Sequence, residues 1–458
     1  MNFHRAGTLA SSIAGAVIVA LDGTVLTVAQ PALQRDLSAS FAQVQWTSTG
    51  YLVAVASLLV FSGRLGDGYG HHRVFALGML GFGAASAGIG LAPGVGWVIG
   101  LRVVQGVFGA LLQPATLGML RAAYPPDRLR TPIAVRTGAI GLAAAAGPVL
   151  GGVLVSGPGW RAVFFLNVVP ALVFGLLALV LPAPRSRPSP ARLDIPGAVL
   201  LAATLACLVH VLVQLPHSGW TLGGEAFLVL VVVTGAAFVR HERRTASPLV
   251  PPDVVGSAAV TGALTVLVIA SAALHGTLFV ATFVLQDDLG YDPLHMALLS
   301  LPLAALMILA APSAAVLLRR VGPRRTTVAA MAVLAAGIVV LGALSGGAVS
   351  LCTGFGLLGA GFGTVMVTAT HVVVRQSAAG SAGVAGGLQQ TAMNVGPVLG
   401  VAVAATLGGL GHGYALPLYV LALVAAVGAV AGRALPERSV VTINHVRQGD
   451  RARLPARG

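Results

Sequence analysis

Lysine is absent from this 458-residue chain: all 27 basic residues are arginine, and only 13 acids accompany them. Charged residues make up 9% of the sequence, aromatic residues 5%, and there are two cysteines. So little charge beside a hydrophobic share of 56% and a mean hydropathy of +0.91 excludes an ordinary soluble domain. Cys207 and Cys352 both fall in apolar runs, which argues against a stabilising disulfide and against a metal centre. A phosphate-cradling glycine loop, an HExxH pair, a CxxC pair and a nucleophile elbow are all missing. Nucleotide-driven pumping and membrane hydrolysis are therefore disfavoured, no cofactor is expected, and energy should come from an ion gradient.

Long apolar runs are what the chain has instead. Taking runs of about 18 residues or more as membrane spans predicts 14 helices, six between Thr8 and Leu181 and eight between Ile195 and Ala431. The first run follows Arg5 but is too long, and lacks the cleavage site, for a signal peptide. The formal charge of +14 resembles that of a nucleic-acid binder, yet its placement reports topology. With both termini cytoplasmic, nearly every arginine lies at or near the cytoplasmic side; Arg35 and Arg161 fall outside and Arg102 lies well within a span. The organisation expected is a six-helix bundle over 1–182, a Pro/Arg/Ser-rich cytoplasmic linker over 183–194 and an inserted helix pair over 195–240. A cytoplasmic loop over 241–255, a second six-helix bundle over 256–433 and a basic cytoplasmic tail over 434–458 complete it.

Gly147-Pro148-Val149-Leu150-Gly151-Gly152 predicts a membrane helix bent on purpose. Proline removes a backbone hydrogen bond, and glycines a turn apart admit a neighbouring helix. The same five letters return at Gly396-Pro397-Val398-Leu399-Gly400, as two homologous halves require. Asp22, in the first span, is expensive in lipid and is by default functional, facing the protein interior or a water-filled cavity. Counting about 1.5 Å per residue puts Asp22 roughly 10 Å, and Arg102 roughly 8 Å, from the outer ends of their helices. The two can meet if the first and fourth spans are neighbours; otherwise Arg102 snorkels to the headgroups. Gln389, Gln390 and Asn394, among small residues, either glue helices or line a polar path. His210 and His275 are expected to be neutral, hydrogen-bonded histidines in apolar surroundings.

Several of these stretches resemble signatures of the major facilitator superfamily, in its 14-helix drug:proton antiporter branch. The Gly147–Gly152 run resembles the antiporter helix-5 signature, and Asp22-Gly23-Thr24 through Pro31 the helix-1 signature, with Thr27 where asparagine is usual and Gln30 where leucine is. Gly63-Arg64-Leu65-Gly66-Asp67-Gly68-Tyr69-Gly70-His71-His72-Arg73 resembles the family's cytoplasmic loop, departing at Gly68, His71 and His72, where basic residues are common. Arg102-Val103-Val104-Gln105-Gly106 resembles the helix-4 signature, and Trp160-Arg161 with Phe164, Asn167 and Pro170 a further one. In the second half, Arg319-Arg320-Val321-Gly322-Pro323-Arg324-Arg325 keeps the loop's glycine but has lost its acid.

The resemblance implies an all-α polytopic membrane protein of the major facilitator fold, two six-helix bundles plus two inserted helices. It implies a proton-coupled exporter of drugs or antibiotics, working by alternating access in the cell membrane of a bacterium; the arginine-only usage suggests a high-GC one. Asp22 and Arg102 would couple protons, while Gly63, Asp67, Gly70 and Arg73 would form a cytoplasmic gate in which Asp67 holds Arg73. Gly147, Pro148, Gly151 and Gly152 would bend and seal the outer side. Thr27, Gln105, Gln113, His275, Gln389, Gln390 and Asn394 would line the substrate cavity. With so few buried acids, the expected substrate is a neutral or weakly charged amphipathic molecule. Protons and the lipid bilayer are the other partners, with no nucleic acid and no metal, and the chain acts as a monomer. A proton-coupled uptake symporter or a non-transporting membrane sensor on the same fold remain as alternatives.

Overall fold

The computed structural model describes residues 3–125, 128, 130–180, 194–218, 222–245, 248, 257–343, 347–376, 382–408 and 414–437. The expected linker, apart from Asp194, and the tail beyond residue 437 lie outside them, as does most of the 241–255 loop. Every regular element among the described residues is helical. The first half comprises α1 (Phe3–Asp36), α2 (Phe41–Tyr69), α3 (His71–Gly90), α4 (Val95–Ala123), α5 (Arg130–Ser156) and α6 (Trp160–Val180). The pair α7 (Ile195–Ser218) and α8 (Leu222–Arg244) follows. The second half comprises α9 (Ala258–Phe283), which ends in a π turn over Val284–Asp288, α10 (Pro293–Leu299), α11 (Leu301–Gly342), α12 (Ala348–Gln376), α13 (Ala382–Gly408) and α14 (Ala415–Ala431).

Local chemistry sets the ends of these helices. Ser40 and Gln43 form a reciprocal capping box that starts α2. Asp292 caps α10 by accepting from the Leu294 amide, with proline in the first turn. The turn between α2 and α3 is Gly70 alone, at φ +94°, and Gly322 breaks α11 at φ +82°. A side chain is strained at both positions, so glycine holds the same corner in each half.

The halves repeat in packing as well as in sequence. In the first, α5 lies against α1: a Cβ on Gly147 would collide with the Thr24 hydroxyl, and one on Gly151 would sit 3.1 Å from the Val25 carbonyl. In the second, α13 lies against α9 in the same manner, Gly396 meeting Ser271 and Gly400 the Ala272 carbonyl. The seam between halves buries Val53 and Ala56 of α2 with Val398 and Ala402 of α13, and α7 adds Leu205 and Val209. By contrast α8 is largely exposed along Val229, Val232 and Val233, an apolar face suited to lipid.

Among the described residues ten helical segments are long and apolar enough to cross a membrane, or up to 12 if two bent pairs each count once. The inserted pair, which runs into residues outside the described ones, is not among these spans. Among the described residues α7 contributes the apolar stretch Ile195–Val211, and α8 carries Glu225 in its first turn and His241, Arg243 and Arg244 in its last. The bent pairs divide α2 after Leu59 (53°) and α5 after Ala144 (40°). The second of these bends sits beside Pro148, as the sequence predicts.

Candidate functional site

Deep in the first half, α1, α2, α3, α4 and α6 converge on one polar cluster. Arg102 is 1% exposed and Asp22 2%. The Arg102 Nη1 donates to Asp22 Oδ2 at 2.6 Å and to Gln105 Oε1 at 2.5 Å, and its Nε donates to the Thr47 carbonyl at 2.8 Å. Asp22 Oδ1 accepts from Gln105 Nε2 and from Asn167 Nδ2, each at 3.1 Å. Gln105 also donates to the Ser86 hydroxyl at 2.7 Å. The guanidinium carbon lies 4.3 Å from the centroid of the Tyr51 ring and 5.9 Å from that of Phe164.

Two opposite charges removed from water at this depth are tolerable because each is paired and the spare hydrogen-bonding positions are filled. The arrangement is also asymmetric. If Asp22 takes up a proton, Arg102 keeps the Thr47 carbonyl, the Gln105 oxygen and the Tyr51 ring, so the cation is not orphaned. Without Arg102 the carboxylate retains only two neutral amide donors. Arg102 is thus sequestered rather than snorkelling, and the first and fourth spans are indeed neighbours.

The cluster also recruits residues to which the sequence assigned no role. Asn167 stands in the α6 signature, but its partner lies 145 positions away. Ser86, Tyr51 and the Thr47 carbonyl carried no signal that distinguishes them from helix-packing residues. Gln105 corrects an expectation in the other direction. Predicted to line the substrate cavity, it is fully buried inside the charge cluster, because α4 turns it toward α1 together with Arg102.

The other candidates for a substrate cavity make mostly local contacts. Thr27 spends its hydroxyl on the Gly23 carbonyl, and the Gln113 carbonyl accepts from Thr116. His275 Nδ1 bonds the Ser271 carbonyl at 2.9 Å and its ring meets Phe362 edge-on at 6.4 Å. Gln389 donates to the Thr370 hydroxyl at 2.5 Å, and Asn394 donates to the Gln390 carbonyl at 2.9 Å. One cavity, of about 1060 Å³, is lined by Arg319, Arg320, Arg324, Arg325, His371 and Glu437 among others. The second, of about 480 Å³, opens between α1 and α6. Neither is lined by any of the seven predicted residues.

At the expected gate, only Gly70 is a turn; Gly63 and Asp67 belong to the last turns of α2. Asp67 pairs with His71, 3.2 Å away, and not with Arg73, whose side chain is exposed. The reason is register. Positions 67 and 71 lie four apart across the corner and face one another, whereas Arg73 has moved round α3 to the solvent side.

At the opposite end, where α1 finishes, the two halves are tied together. Arg35 bonds Asp287 at 2.5 Å, Ser156 donates to Asp292 at 2.7 Å, and Gln286 donates to the Val28 carbonyl at 3.0 Å. A Cβ on Gly152 would stand 2.7 Å from the Leu294 Cα, so α5 and α10 touch backbone to backbone. Phe41 closes over Phe279 and Phe283, with centroids 5.2 and 4.9 Å away. The acids at 287 and 292 are therefore part of the contact between halves. Arg161 and Trp160 both donate to Asp36 beside it.

A two-bundle helical membrane protein with a buried ion pair in one bundle and a closed seam at one end fits a membrane transporter. The chain belongs to the Major Facilitator Superfamily, whose profile matches residues 13–401 and 264–457. It is 42% identical over 411 residues to the tetracenomycin C resistance and export protein of Streptomyces glaucescens, covering 87% of this chain and 75% of that one. It is 34% identical over 406 residues to the puromycin resistance protein pur8 of Streptomyces alboniger, covering 86% and 80%. Among solved structures it superposes on the POT family transporter PepTSo with a TM-score of 0.68 over 93% of this chain and 96% of that one, at 16% identity, a likeness of fold alone. The protein is a transmembrane transporter and not an enzyme.

Proposed function

We propose that the chain exports amphipathic small molecules of the drug or antibiotic kind from the cytoplasm in exchange for protons, by alternating access. The observation that carries this reading is the sealed Asp22–Arg102 pair, a single titratable carboxylate held by a cation that survives its neutralisation. Relatives named for resistance and export support the direction of transport. The end bearing Arg35 and Arg161 is taken as outside, so the tied end is the outer seal. Substrate arriving from the cytoplasm favours the charged Asp22, whose pairing with Arg102 draws α1 and α4 together. A proton from outside neutralises Asp22, loosens that contact and permits the return. α1 transmits the change, since its Thr24 and Val25 pack directly on Gly147 and Gly151 of the bent helix α5. Each charge moved inward across the membrane gains about 2.3 kcal/mol per 100 mV, enough to concentrate a ligand about fiftyfold.

The test is a panel of dyes, lipophilic cations and natural-product antibiotics in a bacterial host stripped of efflux pumps, comparing the native chain with Asp22→Asn at matched membrane expression. Protection by the native chain, lost in Asp22→Asn, is expected. Gradient-driven efflux that is unchanged in Asp22→Asn removes the carboxylate from the mechanism. Proton flux parallel to substrate flux in inside-out vesicles replaces antiport by uptake symport.

A further inference from the structure

The glycine corners of the two halves are alike in backbone and opposite in charge. Three positions before Gly70 stands Asp67, which answers His71 across the corner. Three positions before Gly322 stands Arg319, and Arg320, Arg324 and Arg325 follow close behind it. All four guanidiniums line the cavity of about 1060 Å³. Like charges this close repel, and the corner itself supplies no acid to offset them. Instead one comes from beyond α14: Glu437 accepts from Arg324 Nη1 at 2.7 Å, while the Arg324 amide donates to the Pro436 carbonyl at 3.4 Å. The Glu437 side chain is 78% exposed, so this pair holds weakly and is open to competition. Among the described residues Arg319, Arg320 and Arg325 have no acid partner.

The cavity is more than a solvated basic surface. Ala315, Leu318 and Val321 of α11 and Val367 of α12 give it an apolar side. α11 starts next to α10, at the tied end, and runs about 30 Å to Gly322, one hydrocarbon thickness. Guanidiniums over an apolar floor at the far boundary of the membrane repel a cation, and a neutral occupant leaves their charge uncompensated. We propose that this cavity binds a phosphate-bearing anion, either the phosphodiester of an acidic lipid or a soluble polyphosphate, held by two or more guanidiniums whose planar forks match phosphate oxygens. The apolar side favours the lipid, whose first methylenes it covers. The anion gives the second corner the negative charge that Asp67 gives the first, and it competes with Glu437 for Arg324. Binding here is independent of export, since Asp22 and its partners lie in the other half.

The experiment titrates the full-length protein in one detergent, by isothermal calorimetry, with three probes: dioctanoyl phosphatidylglycerol, dioctanoyl phosphatidylcholine, which has the same tails and no net charge, and inorganic pyrophosphate. Heats from detergent alone are subtracted. Saturable binding of phosphatidylglycerol, at least about tenfold tighter than of phosphatidylcholine, is expected and assigns the site to an acidic lipid; saturable binding of pyrophosphate alone assigns it to a soluble phosphate. One arginine near the surface is worth about fivefold in affinity for such an anion. Arg320→Gln and Arg325→Gln, both at exposed positions, should therefore each weaken binding about fivefold and together about thirtyfold. Glu437→Gln should tighten binding about fivefold, because a competing acid is gone, and misfolding cannot mimic that gain. Arg243→Gln, at an exposed position of α8 outside the cavity, should change nothing. The proposal is overturned if neither anion saturates, or if the only binding is of the two lipids with equal affinity. It is overturned equally if Arg243→Gln costs as much as Arg320→Gln, or if Glu437→Gln fails to tighten binding.

Discussion

Removing one partner of the buried pair should cost very different amounts depending on which is removed. In Asp22→Asn, Arg102 loses one charge-assisted bond, worth about 1.5–3 kcal/mol, but keeps the Thr47 carbonyl at 2.8 Å, the Gln105 oxygen at 2.5 Å and the Tyr51 ring at 4.3 Å. In Arg102→Leu, a carboxylate 2% exposed is left with two amide donors at 3.1 Å, and an unpaired buried charge of this kind costs about 3–5 kcal/mol. Arg102→Leu should therefore be the more damaging by about 2 kcal/mol, the difference between the midpoints of those ranges. The double substitution should recover part of the loss, because the orphaned charge is gone. Thermal unfolding of the four proteins, purified in one detergent and scanned at one rate, reads the order: native, Asp22→Asn, double, Arg102→Leu, from most to least stable. Equal melting temperatures for the two single variants, or a double variant less stable than Arg102→Leu, would refute the assignment of Arg102 as the partner that makes burial of Asp22 tolerable.

The helix-5 glycines should sort by what lies over them. Gly147→Ala must displace Thr24 and should destabilise the protein by about 1–3 kcal/mol and cut export; Gly141→Ala, which meets nothing within 4 Å, should be neutral or stabilising by up to ~1 kcal/mol, as parallel melting and efflux assays will tell. In a background with Cys207 and Cys352 replaced by alanine, Ser156→Cys with Asp292→Cys should form a disulfide across the tied end, since the native side chains already touch. Oxidation should stop export and reduction restore it; full export by the cross-linked protein would contradict alternating access. Arg35→Gln, by contrast, breaks an exposed pair and should shift the melting temperature little, since such pairs are worth about 0–1 kcal/mol.

How legible this was depends on the kind of residue. Asp22 and Arg102 stood out because an ionisable group in an apolar run is costly, and equal depth in their helices suggested a meeting. Asn167, Ser86 and Tyr51 did not stand out, since amides, hydroxyls and aromatic rings occur throughout membrane helices. Gln105 was visible but misassigned: a glutamine one turn from an arginine reads equally as a cavity liner or as its support, and the facing of α4 decides. Asp67 was read against Arg73 from spacing along a loop, yet α2 continues through it and delivers His71 instead. The acids after α9 look solvated in one dimension because Arg35 and Ser156 are far away in sequence.

By itself the sequence determined that the chain is a bundle of membrane helices in two related halves, where its glycine corners and proline bends fall, and that one carboxylate is buried in the first half. Composition, apolar run length and the αL preference of glycine act locally, so they survive without coordinates. Only the tertiary structure decided who partners whom: that Asn167 and Gln105 share Asp22 with Arg102, that Asp287 and Asp292 tie the halves together, and that a cavity opens beside Asn167. Those are long-range matters, set by how each helix is rotated about its axis when it packs. A repeat in sequence does not foretell them. Aligning Thr24 on Gly147 with Ser271 on Gly396 puts apolar Ile269 where Asp22 stands, so the same fold carries its charge in one half only.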